Sequence, residues 1–197
     1  MNIIHKVPSI LVPMLDNYDD YVSGRIQFQN LVTCEQYRKG DLIHTQQVKN
    51  TFMTLGMAKI LNVVFGNVSK AGSAVVCCGI FKANVVPVVG DTAAKLGSGH
   101  EYLECQDADY SPATNRPVYN IATTSTATAT NSAAKAEFTM AAAITVYGAF
   151  LTYGASSTQA KTSVADTLMC AAKFGSARTT EIADLLAIKY DVIMTTS

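Results

Sequence analysis

Residues 144–154 read ITVYGAFLTYG, and what covers this strand decides the fold. Taken by twos, one face carries Ile144, Val146, Gly148, Phe150 and Thr152. The other carries Thr145, Tyr147, Ala149, Leu151 and Tyr153. A strand with one wet face alternates apolar and polar residues. Here both faces are largely apolar. Something must cover the second one: another sheet of the chain, a helix or another molecule.

Around this stretch the chain reads mostly as strand. Candidates are 74–82, 117–122, 134–141, 143–153, 165–174 and 185–195. In the last, Leu186, Ile188, Tyr190, Val192 and Met194 alternate with Leu185, Ala187, Lys189, Asp191 and Ile193. Short strands between turn signals predict a mainly β fold, an antiparallel β-sandwich of jelly-roll or Greek-key type. The tract TTSTATATNSAAKA (123–136) has nothing large to bury and reads as a solvated strand or loop. One helix is predicted over residues 50–65, NTFMTLGMAKILNVVF, with Asn50 as N-cap and Gly66 just past its end. It lacks a polar stripe, which predicts burial on most sides. Gly56, unfavourable in a helix, points to a close crossing with a strand.

Residues 1–44 are expected to form an extended N-terminal arm, leaving 45–197 as the β-sandwich domain. Pro8, Pro13, Gly24 and Gly40 interrupt short apolar patches there, although RIQFQNLV (25–32) can form a short strand. Ile10, Leu11 and Phe28 are the expected arm contacts. Deleting 1–44 is expected to leave the β domain folded. Residues 83–116 form the longest stretch without a clear period, and long loops are common binding surfaces. Tyr110, Arg116 and Tyr119 in and beside it are candidate partner contacts. Tyr147 and Tyr153 join them, because a tyrosine is apolar at one end and hydrogen-bonds at the other.

Composition narrows the function. Of 197 residues, 49% are hydrophobic and 15% charged, against an ordinary charged share of about 25%. Low charge suits a protein inside an assembly. Lys+Arg and Asp+Glu are both 15, and this balance argues against nucleic acid as partner. The cysteines, Cys34, Cys77, Cys78, Cys105 and Cys170, are odd in number and form no CxxC pair. They read as reduced thiols of a protein made in the cytosol. Pro8 and Pro13 break any signal-peptide pattern, and no run reaches the ~18 apolar residues of a membrane helix.

No catalytic, metal or cofactor set is expected. HEYLEC (100–105) lacks the second histidine of a zinc helix. His5 and His44 stand without a G-x-S-x-G elbow, LGSGH (96–100) lacks the lysine of a phosphate loop, and Asp16, Asp19 and Asp20 do not match a calcium loop.

The order of five segments carries a resemblance. These are VKNTFMTLGMAKILNVVFG, CCGIFKANVVPVVGDTAA, YSPATNRPVYN, NSAAKAEFTMAAAITVYGAFLTYG and AAKFGSARTTEIADLLAIKYDVIMT. Over about residues 48–195 they resemble a family of small virion structural proteins of tailed bacteriophages. Phe81, Pro87, Asp91 and Thr92 match its turn motif, and Tyr110, Thr114, Arg116 and Pro117 its central segment. Gly148, Ala149 and Phe150 match a strand motif; Phe174, Ala177 and Arg178 match a late one. Ala183-Asp184 stands where the family has Gly-Asp. The resemblance implies a protein of the virion without catalysis. It would be a capsid decoration or cement protein on the head surface, contacting the major capsid protein and other copies of itself. The alternative is a neck, tail or fibre-base component bound to other virion proteins. A carbohydrate-binding module and an enzyme remain as more distant readings. No membrane partner is expected.

Overall fold

The structure, a computed structural model, describes residues 26–66, 75–111, 114–121, 126–154, 159–161 and 163–196. The elements run β1 (Ile26–Arg38), β2 (Asp41–Lys49), β3 (Thr51–Phe52), α1 (Thr54–Val64), β4 (Val75–Phe81), β5 (Tyr110–Ser111), β6 (Thr128–Thr130), β7 (Ala136–Met140), β8 (Thr145–Gly154), β9 (Thr167–Thr179) and β10 (Leu185–Thr196). They form two antiparallel sheets. One has the order β2-β1-β10-β7-β5, with β6 also paired to β10; the other has the order β3-β9-β8-β4. A single apolar core lies between them. Val32, Cys34, Phe138, Leu186, Ile188 and Tyr190 come from the first sheet, and Cys78, Ile80, Val146, Leu151, Cys170 and Phe174 from the second. The sandwich expected from the strand pattern is the fold observed.

The N-terminal boundary is corrected. Residues 26–44, read from the sequence as part of an arm, belong to the first sheet. β1 pairs with β10 along Ile26–Tyr37 and with β2 along Leu31–Arg38. The β1–β2 hairpin turns at Lys39 (φ 53°) and Gly40 (φ 91°). Two successive positive φ angles give the two-residue hairpin turn whose twist matches its strands, and glycine supplies the second at no steric cost. Residues 1–25 lie outside the described residues, and with them Ile10 and Leu11.

The helix also differs from expectation. It begins at Thr54 behind an extended Met53, because Thr51 and Phe52 pair with Ala171 and Cys170 as β3. Asn50 is therefore not its cap. Nor is the helix buried: Gly56 is its one buried residue. A Cβ on Gly56 would overlap the backbone of Met169, so this glycine sets how closely helix and β9 approach. Of the expected strand 117–122, the described residues 117–121 make none; Val118 forms an isolated bridge to Cys77.

The strand ITVYGAFLTYG is β8, central in its sheet between β9 and β4. Its two faces do not separate by twos, because the register with β9 shifts between Val146 and Gly148, where Tyr147 has no partner. A bulge moves later side chains to the opposite face. Ile144, Val146, Ala149, Leu151 and Tyr153 thus all face the inter-sheet core. Phe150 and Tyr147 face a second cluster with Met53, Phe81, Ala93, Leu96, Tyr102, Leu168 and Ala171. Ala93, Leu96 and Tyr102 belong to the long loop after β4. The cover of the second face is therefore that loop, rather than the helix or a neighbouring molecule.

Candidate interaction surface

The expected contact residues sort by burial. Tyr110 is fully buried and packs edge-on against Phe138 at 4.9 Å between centroids, with Lys161 Nζ 3.6 Å from its ring centre. Tyr119 is buried, and its single hydroxyl proton is shared between Ala129 O at 3.1 Å and Tyr190 O at 3.2 Å. Arg116 is buried too: Nε and Nη2 donate to the two Glu104 oxygens at 2.7 and 2.8 Å, and Nη1 meets Asp166 at 3.0 Å. Its guanidinium lies 5.3 Å from the centre of the Phe150 ring. Burial works against the Arg116 charge, but the Glu104 carboxylate outweighs it and the pKa is raised. These three residues are interior anchors, and the reading of them as partner contacts is corrected. Tyr147 and Tyr153 are half-buried, Tyr153 beneath Lys59 with Nζ 4.9 Å from its ring centre. Phe28 lies in β1, half-buried, 5.4 Å from Phe52 between centroids.

The loop after β4 is held by buried polar groups. Asp91 accepts from the Tyr102 hydroxyl at 2.6 Å and the Val88 N–H at 2.9 Å, and pairs with Lys95 at 2.7 Å. Burial pushes the Asp91 carboxyl up, yet these donors together hold it below its usual range. With the polar groups turned inward, apolar ones are left outside. Val86, Val88 and Val89 are all more exposed than buried.

Beside these valines runs the outer face of α1. Thr54 N–H donates to Val89 O at 2.9 Å, which satisfies a helix-end donor and joins helix to loop. From there Leu55, Ala58, Leu61, Val64 and Phe65 face solvent, Val64 at 62% and Phe65 at 77% exposure. The spacing of Leu55, Ala58, Leu61 and Phe65 is that of one helix stripe. No acidic residue sits in the first turn and no basic one in the last. These apolar side chains form an exposed stripe along the helix. Sequence reasoning saw the missing polar stripe and assigned it to burial within the chain. The valine pairs of VVPVV (85–89) carried the same signal and went unused.

The remaining chemistry is closed off. All five cysteines are free and buried. Burial pushes the Cys34 and Cys170 thiols up to about 12 and Cys77 to about 11, so they stay protonated at neutral pH. Among the described residues no group of three or more His, Cys, Asp or Glu is placed to hold a metal ion, and no helix is long and apolar enough to cross a membrane. The chain matches no family model, no curated protein and no solved structure. The likeness to tailed-phage virion proteins therefore rests on the quoted segments alone.

Proposed function

We propose that the protein is a virion structural protein, a capsid decoration or cement protein that binds the outside of a phage head and bridges adjacent major capsid subunits. The observation that carries the reading is the apolar ridge formed by Leu55, Leu61, Val64, Phe65, Val86, Val88 and Val89 on a chain with few charges. A ridge of this sort gains by burial against a partner, and interfaces are most apolar at their centres. A shell presents the same contact many times, so modest contacts stiffen it collectively.

Two measurements test this. Quantitative mass spectrometry of purified particles should find a simple ratio to the major capsid protein. A dozen copies or fewer would move the protein to the neck, tail or fibre base, and absence from particles would overturn the reading. The doubly substituted Leu61→Lys, Phe65→Asp protein should keep the wild-type unfolding midpoint to within about 0.5 kcal/mol per site, since both side chains are exposed. It should nevertheless lose particle binding. Unchanged retention on washed particles would remove the ridge as the contact.

A further inference from the structure

The connection between β8 and β9 is built inside out. Its described part is residues 159–161 and 163–166. The apolar side chains here, Ala160, Val164 and Ala165, are exposed, Val164 to 44%. The buried ones are Gln159 and Lys161, at 2% and 4% exposure. None of these residues belongs to either apolar cluster. Apolar burial, the main force that keeps a segment docked, therefore contributes almost nothing.

Polar contacts hold the segment instead. Arg116 N–H donates to Gln159 O at 2.8 Å and Lys161 N–H to Thr114 O at 2.9 Å, on either side of an isolated bridge between Asn115 and Ala160. Lys161 Nζ donates to Tyr110 O at 2.9 Å and meets Asp107 at 3.1 Å. Arg116 Nη2 donates to Ser163 O at 3.0 Å, beside the ion pair of Nη1 with Asp166. The Gln159 carboxamide donates to Val75 O at 2.8 Å and accepts from the Thr152 hydroxyl.

Two features of this clasp favour release. Its polar groups are rehydrated when it opens, and water then reaches the Arg116 guanidinium, a buried charge whose desolvation is costly. Thr114, whose carbonyl accepts from Lys161, has φ 67°. A β-branched residue in the left-handed region is strained, so the clasp works against that strain. Beneath it lies one thiol. Cys77 is buried and stands opposite Thr152 in the β4–β8 pair. Burial raises its pKa, and the Arg116 charge and a hydrogen bond from the Gln159 backbone partly offset the rise. Cys34, Cys78, Cys105 and Cys170 belong to the inter-sheet core, and Cys77 does not.

We propose that this segment is a strap that opens as a unit while the sandwich stays folded, uncovering Cys77. Opening of this kind is governed by local rather than global stability. The strap behaves so whether or not the protein binds a particle.

Thiol labelling of the full-length protein tests the strap. Native protein is treated with iodoacetamide at mildly alkaline pH, and each of the five cysteines is quantified by peptide mass spectrometry. Cys77 is expected to label roughly tenfold faster than the other four, or more. Its rate should stay flat in low urea while theirs climb, because local opening exposes little surface. Gln159→Ala should raise the Cys77 rate roughly fivefold, the factor for one lost hydrogen bond, and leave the other four unchanged. A Cys77 rate no faster than the rest, or one that climbs with urea as theirs do, would mean that only global unfolding reaches the thiol and would overturn the proposal. A Cys77 rate untouched by Gln159→Ala would overturn the strap as its cover. Should that variant not fold, the wild-type rates alone decide.

Discussion

Phe150 and Gly79 show how much of the fold is decided at single residues. In the β4–β8 pair, Gly79 stands opposite Phe150 and Phe81 stands opposite Gly148. A Cβ on Gly79 would overlap the Phe150 ring, and one on Gly148 would overlap the Phe81 ring. Each phenylalanine thus lies across the glycine of the facing strand, covering backbone that glycine leaves bare. Phe150→Ala should cost about 3–5 kcal/mol in a denaturant titration, the range for removing a buried aromatic. Gly79→Ala should also destabilise, despite being small. A Gly79→Ala midpoint equal to wild type would mean that the ring has room to move. Asp184 is a second such residue. Its carboxylate accepts from Arg38 Nε and Nη2 at 2.9 Å, Gln36 Nε2 at 2.8 Å and the Glu181 N–H at 2.9 Å. The Arg38 hydrogen bond, chiefly, holds it well below the usual carboxylate range. A depressed folded pKa gives stability that is complete above the unfolded value, about 3.9, and is lost as pH falls through the folded one. Asp184→Asn should therefore cost about 1.5–3 kcal/mol at pH 7, and its deficit against wild type should shrink below about pH 4. A deficit constant down to pH 2 would place the cause elsewhere.

At the scale of elements, the helix shows what a sequence pattern can and cannot carry. Its position was legible, and so was the meaning of Gly56, which sits against Met169. Gly56→Ala raises intrinsic helicity by about 1 kcal/mol, so a net loss of stability would measure the clash with the β9 backbone. We expect that net loss; a gain on thermal unfolding would show that helix and sheet can separate without cost. The helix's exposure was not legible. An all-apolar pattern says that every face will be covered, and it does not say by which molecule. The faces of β8 were misread for a different reason. Reading by twos assumes an unbroken pleat, and the shift at Val146/Gly148 leaves no signal in the composition of the strand itself. For the same reason Tyr110, Arg116 and Tyr119 looked like surface anchors. Aromatic and arginine side chains suit interfaces and buried networks alike, and only the positions of Glu104, Asp166 and Tyr190 decide between them.

For the molecule as a whole, the sequence showed two layers of strand but misplaced the point at which the domain begins. Proline and glycine in 1–44 suggested one arm, whereas the Lys39-Gly40 turn marks a hairpin and places β1 between β2 and β10. β1 contributes Val32 and Cys34 to the core and Gln36 and Arg38 to the Asp184 site. A sandwich cannot lose an inner strand and keep its core closed, because β10 would then expose an unpaired edge and a row of apolar side chains. Deletion of residues 1–44, expected from sequence to leave the β domain folded, should therefore abolish cooperative unfolding and expose the buried thiols to alkylation. Deletion of 1–25 removes none of the described pairings and should leave a single cooperative transition with the thiols of the inter-sheet core protected. If the two truncations behaved alike, either both folded or both collapsed, the placement of β1 inside the sheet would be wrong. If they differ as expected, the contribution of residues 1–25 to assembly can be measured on a domain that is otherwise intact.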